Sequence, residues 1–339
     1  MRHTAIKIVL ILLWMPAAVV CPDNSPAAEN GSVISVQLEN DLFGGTDRNF
    51  THGTRLEYVT GPIDWISDAA NKLPWFEYEK SGTENSSALE ARASISIGQN
   101  IYTPESTRTR KLMPNERPYA GWLYVGFGLA ANQGSRRYDK VYLEIGTVGP
   151  DAFAEEVQTS WHNLFSIKVP RGWDNQLDNE PGVVFYYEQA RRFDAHDLIF
   201  GLEYDVLPHF GGGLGNVFTY GAVGFTVRVG SNLEEDFGPP RIRPSLPGSG
   251  FFRPEDDFNW YVFAGSEARL VLRNIFLDGN TFTDSPSVDK NMLVGDVQAG
   301  FAVQRGRFQM TYTQIYRTKE YEDQSSGDLF GSLNIAWRF

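Results

Sequence analysis

Two groups of side chains in this chain have the types and spacing for chemistry. Gln158 and His162 stand four residues apart within 151–165 (DAFAEEVQTSWHNLF). Val157, Trp161, Leu164 and Phe165 fall there at helical spacing and Pro150 offers a start, so the segment predicts a helix. Residues four apart share a helix face, which sets an imidazole and an amide side by side next to an apolar stripe. An imidazole can move protons near neutral pH; a solvated surface histidine is the plainer alternative. The second group, Glu39, Asn40 and Asp41, ends an alternating segment ahead of Gly44 and Gly45. Oxygen donors crowded at a strand end can hold Ca²⁺, which takes about six to eight of them. Asn and Asp equally favour turns for their own sake. Both readings stand on these residues alone.

The remaining candidates say less. His52 falls in an alternating segment at an outward position, while His196 and His209 sit beside turn residues, where a solvated role is the ordinary one. No GxSxG nucleophile elbow and no zinc signature occurs. The 211–215 run (GGGLG) lacks the Lys-Ser/Thr of a phosphate loop and reads as a turn. Cys21, the single cysteine, lies in an N-terminal leader, so the mature chain has neither thiol chemistry nor disulfides.

The elements that must position these residues are strands. Period-two alternation recurs at roughly 32–43, 50–60, 89–101, 119–131, 138–148, 182–193, 197–207, 217–230, 257–273, 291–304, 306–317 and 328–339. In 119–131 Tyr119, Leu123, Val125, Phe127 and Leu129 form the outward set, with Gly126, Gly128 and Ala130 facing in. At the C-terminus Leu333, Ile335, Trp337 and Phe339 alternate with Ser332, Asn334, Ala336 and Arg338, as on a last lipid-facing barrel strand. An even number of strands suits a single-chain bacterial barrel, and closure removes the edges that lipid would not tolerate. The expected fold is therefore all-β: a twelve-stranded antiparallel transmembrane β-barrel with one short helix at the extracellular rim. The polar stretches 61–88, 105–117, 231–256 and 274–290 read as its loops or turns.

Composition and the N-terminus agree. Arg2 and Lys7, the apolar run 8–15 and small residues near Ala27 and Ala28 predict a secretory signal over 1–28, leaving 29–339 as one barrel domain. Mean hydropathy is −0.32, yet Phe, Trp and Tyr make up 14% of the chain. That is the profile of a barrel, whose apolar residues are diluted one in two. Removing Arg2, Lys7 and Asp23 with the signal leaves 28 basic and 41 acidic residues, a net of −13. Nucleic acid is excluded as a partner on that charge.

Certain motifs occur in a telling order: Glu39-Asn40-Asp41, Asp47-Arg48-Asn49-Phe50-Thr51-His52-Gly53, Ile101-Tyr102-Thr103-Pro104, Arg117-Pro118-Tyr119-Ala120-Gly121-Trp122, and Gly149-Pro150-Asp151 leading to Glu156-Val157-Gln158 and His162. In this the chain resembles the lipid A deacylase family, the outer-membrane 3'-O-deacylases of lipopolysaccharide. The resemblance implies a bacterial outer-membrane location and a Ca²⁺-dependent hydrolase that removes the 3'-acyloxyacyl chain of lipid A. Its implied partners are lipopolysaccharide, the surrounding outer-membrane lipids and the barrel-assembly machinery during insertion. Carried over by position, it implies His162 as general base activating water, Gln158, Asn40 and Thr51 as active-site residues, and Asp41 as a Ca²⁺ ligand. By alternation Thr51 joins the inward set with Gly53, Arg55 and Glu57. The chain departs from the family at Lys168, six residues past the histidine, where a family member carries glutamate. Glu155, Glu156 or Asp174 could replace that acid, or the Lys168 ammonium could meet a lipid A phosphate. The competing reading is a non-enzymatic barrel, a pore or surface protein, with inward Arg228, Glu267, Arg269 and Arg273 lining a lumen.

Overall fold

The computed structural model describes residues 31–41, 49–70, 72, 89–134, 136–164, 166, 168–193, 195–238, 241–244, 250–252 and 255–339; for 49–51, 200, 235 and 255–257 it describes the backbone alone. The signal expected over 1–28 lies outside these residues. Twelve long strands run in chain order: β1 Val33–Asn40, β2 Asn49–Val59, β3 Leu89–Thr103, β4 Ala120–Gln133, β5 Arg137–Val148, β6 Glu180–Arg191, β7 Glu203–Gly215, β8 Phe218–Gly230, β9 Glu255–Asn274, β10 Leu293–Gly306, β11 Phe308–Arg317 and β12 Asp328–Arg338. Each pairs antiparallel with the next, and β12 returns to β1 with Val33 opposite Arg338 and Asn40 opposite Gly331, so the sheet closes. The helices are short: α1 Asp64–Ala70, α2 Ala154–Leu164 and α3 Ile275–Asp278. No described helix is long and apolar enough to cross a membrane; the crossing elements are strands.

Alternation sorts the side chains as expected. Val125, Phe127 and Leu129 are exposed on the outer face, while Tyr124 and Ala130 are buried inside. Both termini meet at one end, where Ser32 and Phe339 exchange backbone hydrogen bonds. The tight turns at Gly134 and Gly306 lie at that same end, the side on which outer-membrane barrels keep short turns. The connection bearing α2 is at the opposite, extracellular rim.

One strand departs from the sequence expectation. The seventh spans Glu203–Gly215, not 197–207, and the GGGLG run is strand rather than turn. The glycines are needed because neighbours press on them: a Cβ on Gly213 would lie 2.9 Å from the Tyr186 ring, and one on Gly212 2.5 Å from the Tyr220 carbonyl oxygen. Asn216 and Val217 make the turn instead. His209 is consequently not at a solvated turn but buried, 3.7 Å from Glu267.

The lumen is filled. The connection after β8, read from sequence as a loop or turn, folds inward, burying Leu233, Phe237, Arg241, Ile242, Arg243 and Phe252. Arg243 donates two hydrogen bonds to Glu188 on β6 at 2.7 and 2.8 Å. Ile242 N–H donates to Glu39 on β1 (2.9 Å), and Arg338 on β12 donates to the Phe252 carbonyl. Of the four residues proposed to line a pore, Arg228 is paired with Asp205 and Asp236, and Arg269 with Glu267 and Asp296. Arg273 is held by the Asn216 and Gly279 carbonyls at the rim. Buried charges are tolerated when paired in this way, and the packed interior argues against the pore reading.

Candidate active site on the outer wall

Of the residues singled out for chemistry, Asn40 lies on the outside of the wall, as does the helix that carries Gln158 and His162, whereas Glu39 turns to the lumen. Register places Asn40 opposite His52, His52 opposite Ile101, and Ile101 opposite Gly121, a row across β1 to β4 at the extracellular rim. Outward positions such as Ile34, Tyr58, Ile95, Ile97, Val125 and Phe127 on these strands are exposed, but Asn40, His52, Ile101 and Gly121 are buried. What covers them is α2. Its approach is made at Gly121, where an added Cβ would meet Ala154 Cβ at 2.6 Å and Ala152 Cβ at 2.9 Å; only a residue without a side chain lets the helix lie this close. Gln99 Nε2 donates to the Ala152 carbonyl (2.6 Å) and fixes the turn that leads into it.

From that anchor the helix crosses the strands. Ala154 stands over Gly121, and Trp161 lies against His52 with ring centroids 5.6 Å apart. Seven residues of helix rise about 10.5 Å, and two strand spacings amount to about 9.6 Å, so the two lengths match. The face turned to the wall carries Ala154, Gln158 and His162, all buried. Part of the predicted apolar stripe is covered as well, with Val157 packed against the Ile101–Tyr119–Trp173 cluster and Trp161 against His52, while Leu164 is 66% exposed. Burying an imidazole and an amide costs free energy unless each finds a partner.

His162 finds its partner in the backbone. Its Nδ1 lies 2.7 Å from the Lys168 carbonyl oxygen. A carbonyl only accepts, so Nδ1 donates, and in the neutral ring Nε2 is the basic nitrogen. At Lys168, where the chain departs from the family pattern, it is the main chain that holds the imidazole, whatever the side chain. Gln158 Oε1 accepts from Trp173 Nε1 (3.0 Å), while Gln158 Nε2 is buried with no hydrogen-bond partner among the described residues. A buried amide N–H without an acceptor is a donor held for a ligand.

On the wall side, His52 Nδ1 lies 3.3 Å from Asn40 Nδ2 and its Nε2 2.6 Å from Thr54 Oγ1. The amide donates to Nδ1, and Nε2–H donates to the hydroxyl. The triplet before the first loop is divided: Glu39 faces the lumen and accepts from the plug, whereas Asn40 faces outward. Thr51 differs from its expected placement on a regular inward set. Phe50 pairs with Tyr102 and His52 with Ile101, so Thr51 is the extra residue of a β-bulge, and bulges re-aim side chains. Its side chain lies outside the described atoms.

For a metal, the local donors are the Asp41 carboxylate and the Asn40 amide, both buried. Hard oxygen donors of this kind fit Ca²⁺, whose remaining ligands would be carbonyls and water. Glu39 is excluded by its lumen contacts, and among the described residues no three His, Cys, Asp or Glu side chains converge. Glu155 and Asp174, considered as replacement acids, line an exposed cleft beside α2. Burial, then Glu156 and Asp174, raise the Glu155 carboxyl above its ordinary value. Sequence reasoning missed His52 and Trp173 as parts of the site. The signal for His52 was available: it is outward on a rim strand, where an uncovered imidazole would face lipid.

The family model described as "Outer membrane protein LpxR" matches residues 8–339. Among solved structures the chain is similar to LpxR from Salmonella typhimurium, with a TM-score of 0.73 and 21% identity over 91% of this chain and 100% of that one. It is similar at a TM-score of 0.45 and 10% identity to the β-domain of the Bordetella autotransporter BrkA, covering 91% of this chain and 98% of that one. No curated protein matches the sequence.

Proposed function

The chain belongs to the family of the outer membrane protein LpxR, and from that premise we propose that it is a lipid A deacylase of the bacterial outer membrane. It hydrolyses the ester linking the 3'-acyloxyacyl chain, with His162 as general base. What supports this reading most is the hydrogen bond from His162 Nδ1 to the Lys168 carbonyl. It fixes the ring and, in the neutral imidazole, makes Nε2 the basic nitrogen, the arrangement a base needs to take a proton from water. The water then attacks the ester carbonyl carbon, and negative charge develops on its oxygen. Gln158 Nε2, buried and without an acceptor, is a donor for that oxyanion; such donors are worth about 3–4 kcal/mol each. Asn40, oriented by His52, stands on the wall side, and Thr51 is assigned to the site by its position in the family motif. Asp41, with Asn40, would hold a Ca²⁺ ion. Bound there, the cation would supply further stabilisation of negative charge. The tetrahedral intermediate then collapses, the acyl C–O bond breaks, and His162 passes its proton to the departing alkoxide oxygen, which completes hydrolysis without a covalent nucleophile.

Mass spectrometry of lipid A from cells expressing the wild type or His162→Ala tests the reading. Loss of the 3' acyl chains in the wild type alone is expected. Equal loss in both would remove His162 from the mechanism, and no loss in either would return the barrel to a non-enzymatic role.

A further inference from the structure

Beside α2 lies a cleft of about 720 Å³ lined by Arg108, Arg110, Lys168 and Arg171, with Val169, Pro170 and Trp173 forming an apolar part and Glu155 and Asp174 also lining it. Its volume is that of a small-molecule site. Four cations against two carboxylates give it a local excess of positive charge, on a chain whose formal net charge is −12. No ion pair or side-chain hydrogen bond among the described residues engages any of the four. Inside the barrel, by contrast, Arg55, Arg117, Arg228, Arg243 and Arg317 each meet a carboxylate. Unpaired like charges repel, so gathering them has a cost that only an anion removes.

The cleft shares its walls with the candidate active site. Trp173 lines it and donates to Gln158; Lys168 lines it with its side chain while its carbonyl holds His162. An anion seated here is therefore fixed relative to the proposed base. Guanidinium groups match phosphate oxygens in bidentate geometry. Because the cleft opens at the extracellular rim, the available anion is a phosphoryl group of the lipopolysaccharide headgroup. We propose that this cleft is a phosphate seat that positions lipopolysaccharide for cleavage, an inference that rests on the deacylase reading for its consequence but not for its binding.

The test is binding by the full-length protein in detergent, in a His162→Ala background so that no turnover intervenes. The probes are bisphosphorylated lipid A, lipid A lacking either phosphate or both, and inorganic phosphate as competitor. Bisphosphorylated lipid A is expected to bind more tightly than the phosphate-free form. Arg108→Gln with Arg171→Gln should weaken its binding about tenfold, the size of a lost charged hydrogen bond reduced by exposure, and collapse the preference. Competition by inorganic phosphate alone, without discrimination among the lipids, would mean a free-anion site and overturn the assignment. Equal binding of all lipids, or an undiminished preference in the double variant, would overturn it too. Phosphate-dependent binding by a protein that hydrolyses nothing would sustain the seat and refute the deacylase reading.

Discussion

Replacing Gly121 by alanine should disable the enzyme while leaving the barrel folded. The added Cβ would stand 2.6 Å from Ala154 Cβ and 2.9 Å from Ala152 Cβ, whereas carbon atoms rest at about 3.5–4.0 Å. Neither neighbour is a flexible tip, so the start of α2 must lift by about 1 Å, a displacement that can cost about a hundredfold in rate. The loss follows because His162 and Gln158 ride on the helix while Asn40 and His52 belong to the wall. Rate of 3' deacylation by purified protein, read by mass spectrometry, is the assay, with heat-modifiable gel mobility confirming an intact barrel. Ala154→Gly in the same chain removes the closer contact and should recover part of the rate. A Gly121→Ala enzyme within a small factor of wild type would refute the idea that the site is shared between helix and wall.

Further outcomes follow from individual contacts. Trp173→Phe keeps the packing against Tyr119 but removes the donor to Gln158, and turnover should fall roughly fivefold for about 1 kcal/mol; an unchanged rate would deny Gln158 a positioning partner. Burial alone would raise the Glu320 carboxyl, but Arg117, Arg317 and Arg269 hold it below its ordinary 4.5. A depressed carboxylate stabilises above 4.5 and loses that contribution as pH falls through its folded value. Glu320→Gln should therefore destabilise at neutral pH by about 3–5 kcal/mol, leaving Arg117 buried without its mate, and match wild type in strong acid; a pH-independent difference in melting would contradict this. Chelation should abolish activity, and Asp41→Asn should raise the Ca²⁺ concentration needed to restore it; a chelator-resistant enzyme would remove the ion from the site.

Much of the fold was legible because lipid outside and polar groups inside enforce a period of two, as in Val125, Phe127 and Leu129. The seventh strand was misplaced because its glycines resemble a turn locally; the tyrosines that demand them, Tyr186 and Tyr220, lie on other strands. Gln158 and His162 were legible as neighbours on one face, but not that this face would be the covered one. That depends on the gap at Gly121, a property of two distant segments. The orienting role of the Lys168 backbone was invisible, since side-chain identity carries no information about a carbonyl. The plug escaped notice because its partners are scattered over the whole chain.

That scatter has a consequence for how the molecule is completed. The described parts of the inward-folded connection, 231–238, 241–244 and 250–252, bond to Glu39, Glu188, Arg269, Arg317 and Arg338, so their seat includes the first staves and the very last. The connection cannot settle until synthesis has ended and the seam between the two chain ends has shut. The segment is a keystone: set last, it turns a pliable hoop into a braced drum, and the rigidity on which the outer face relies arrives only then.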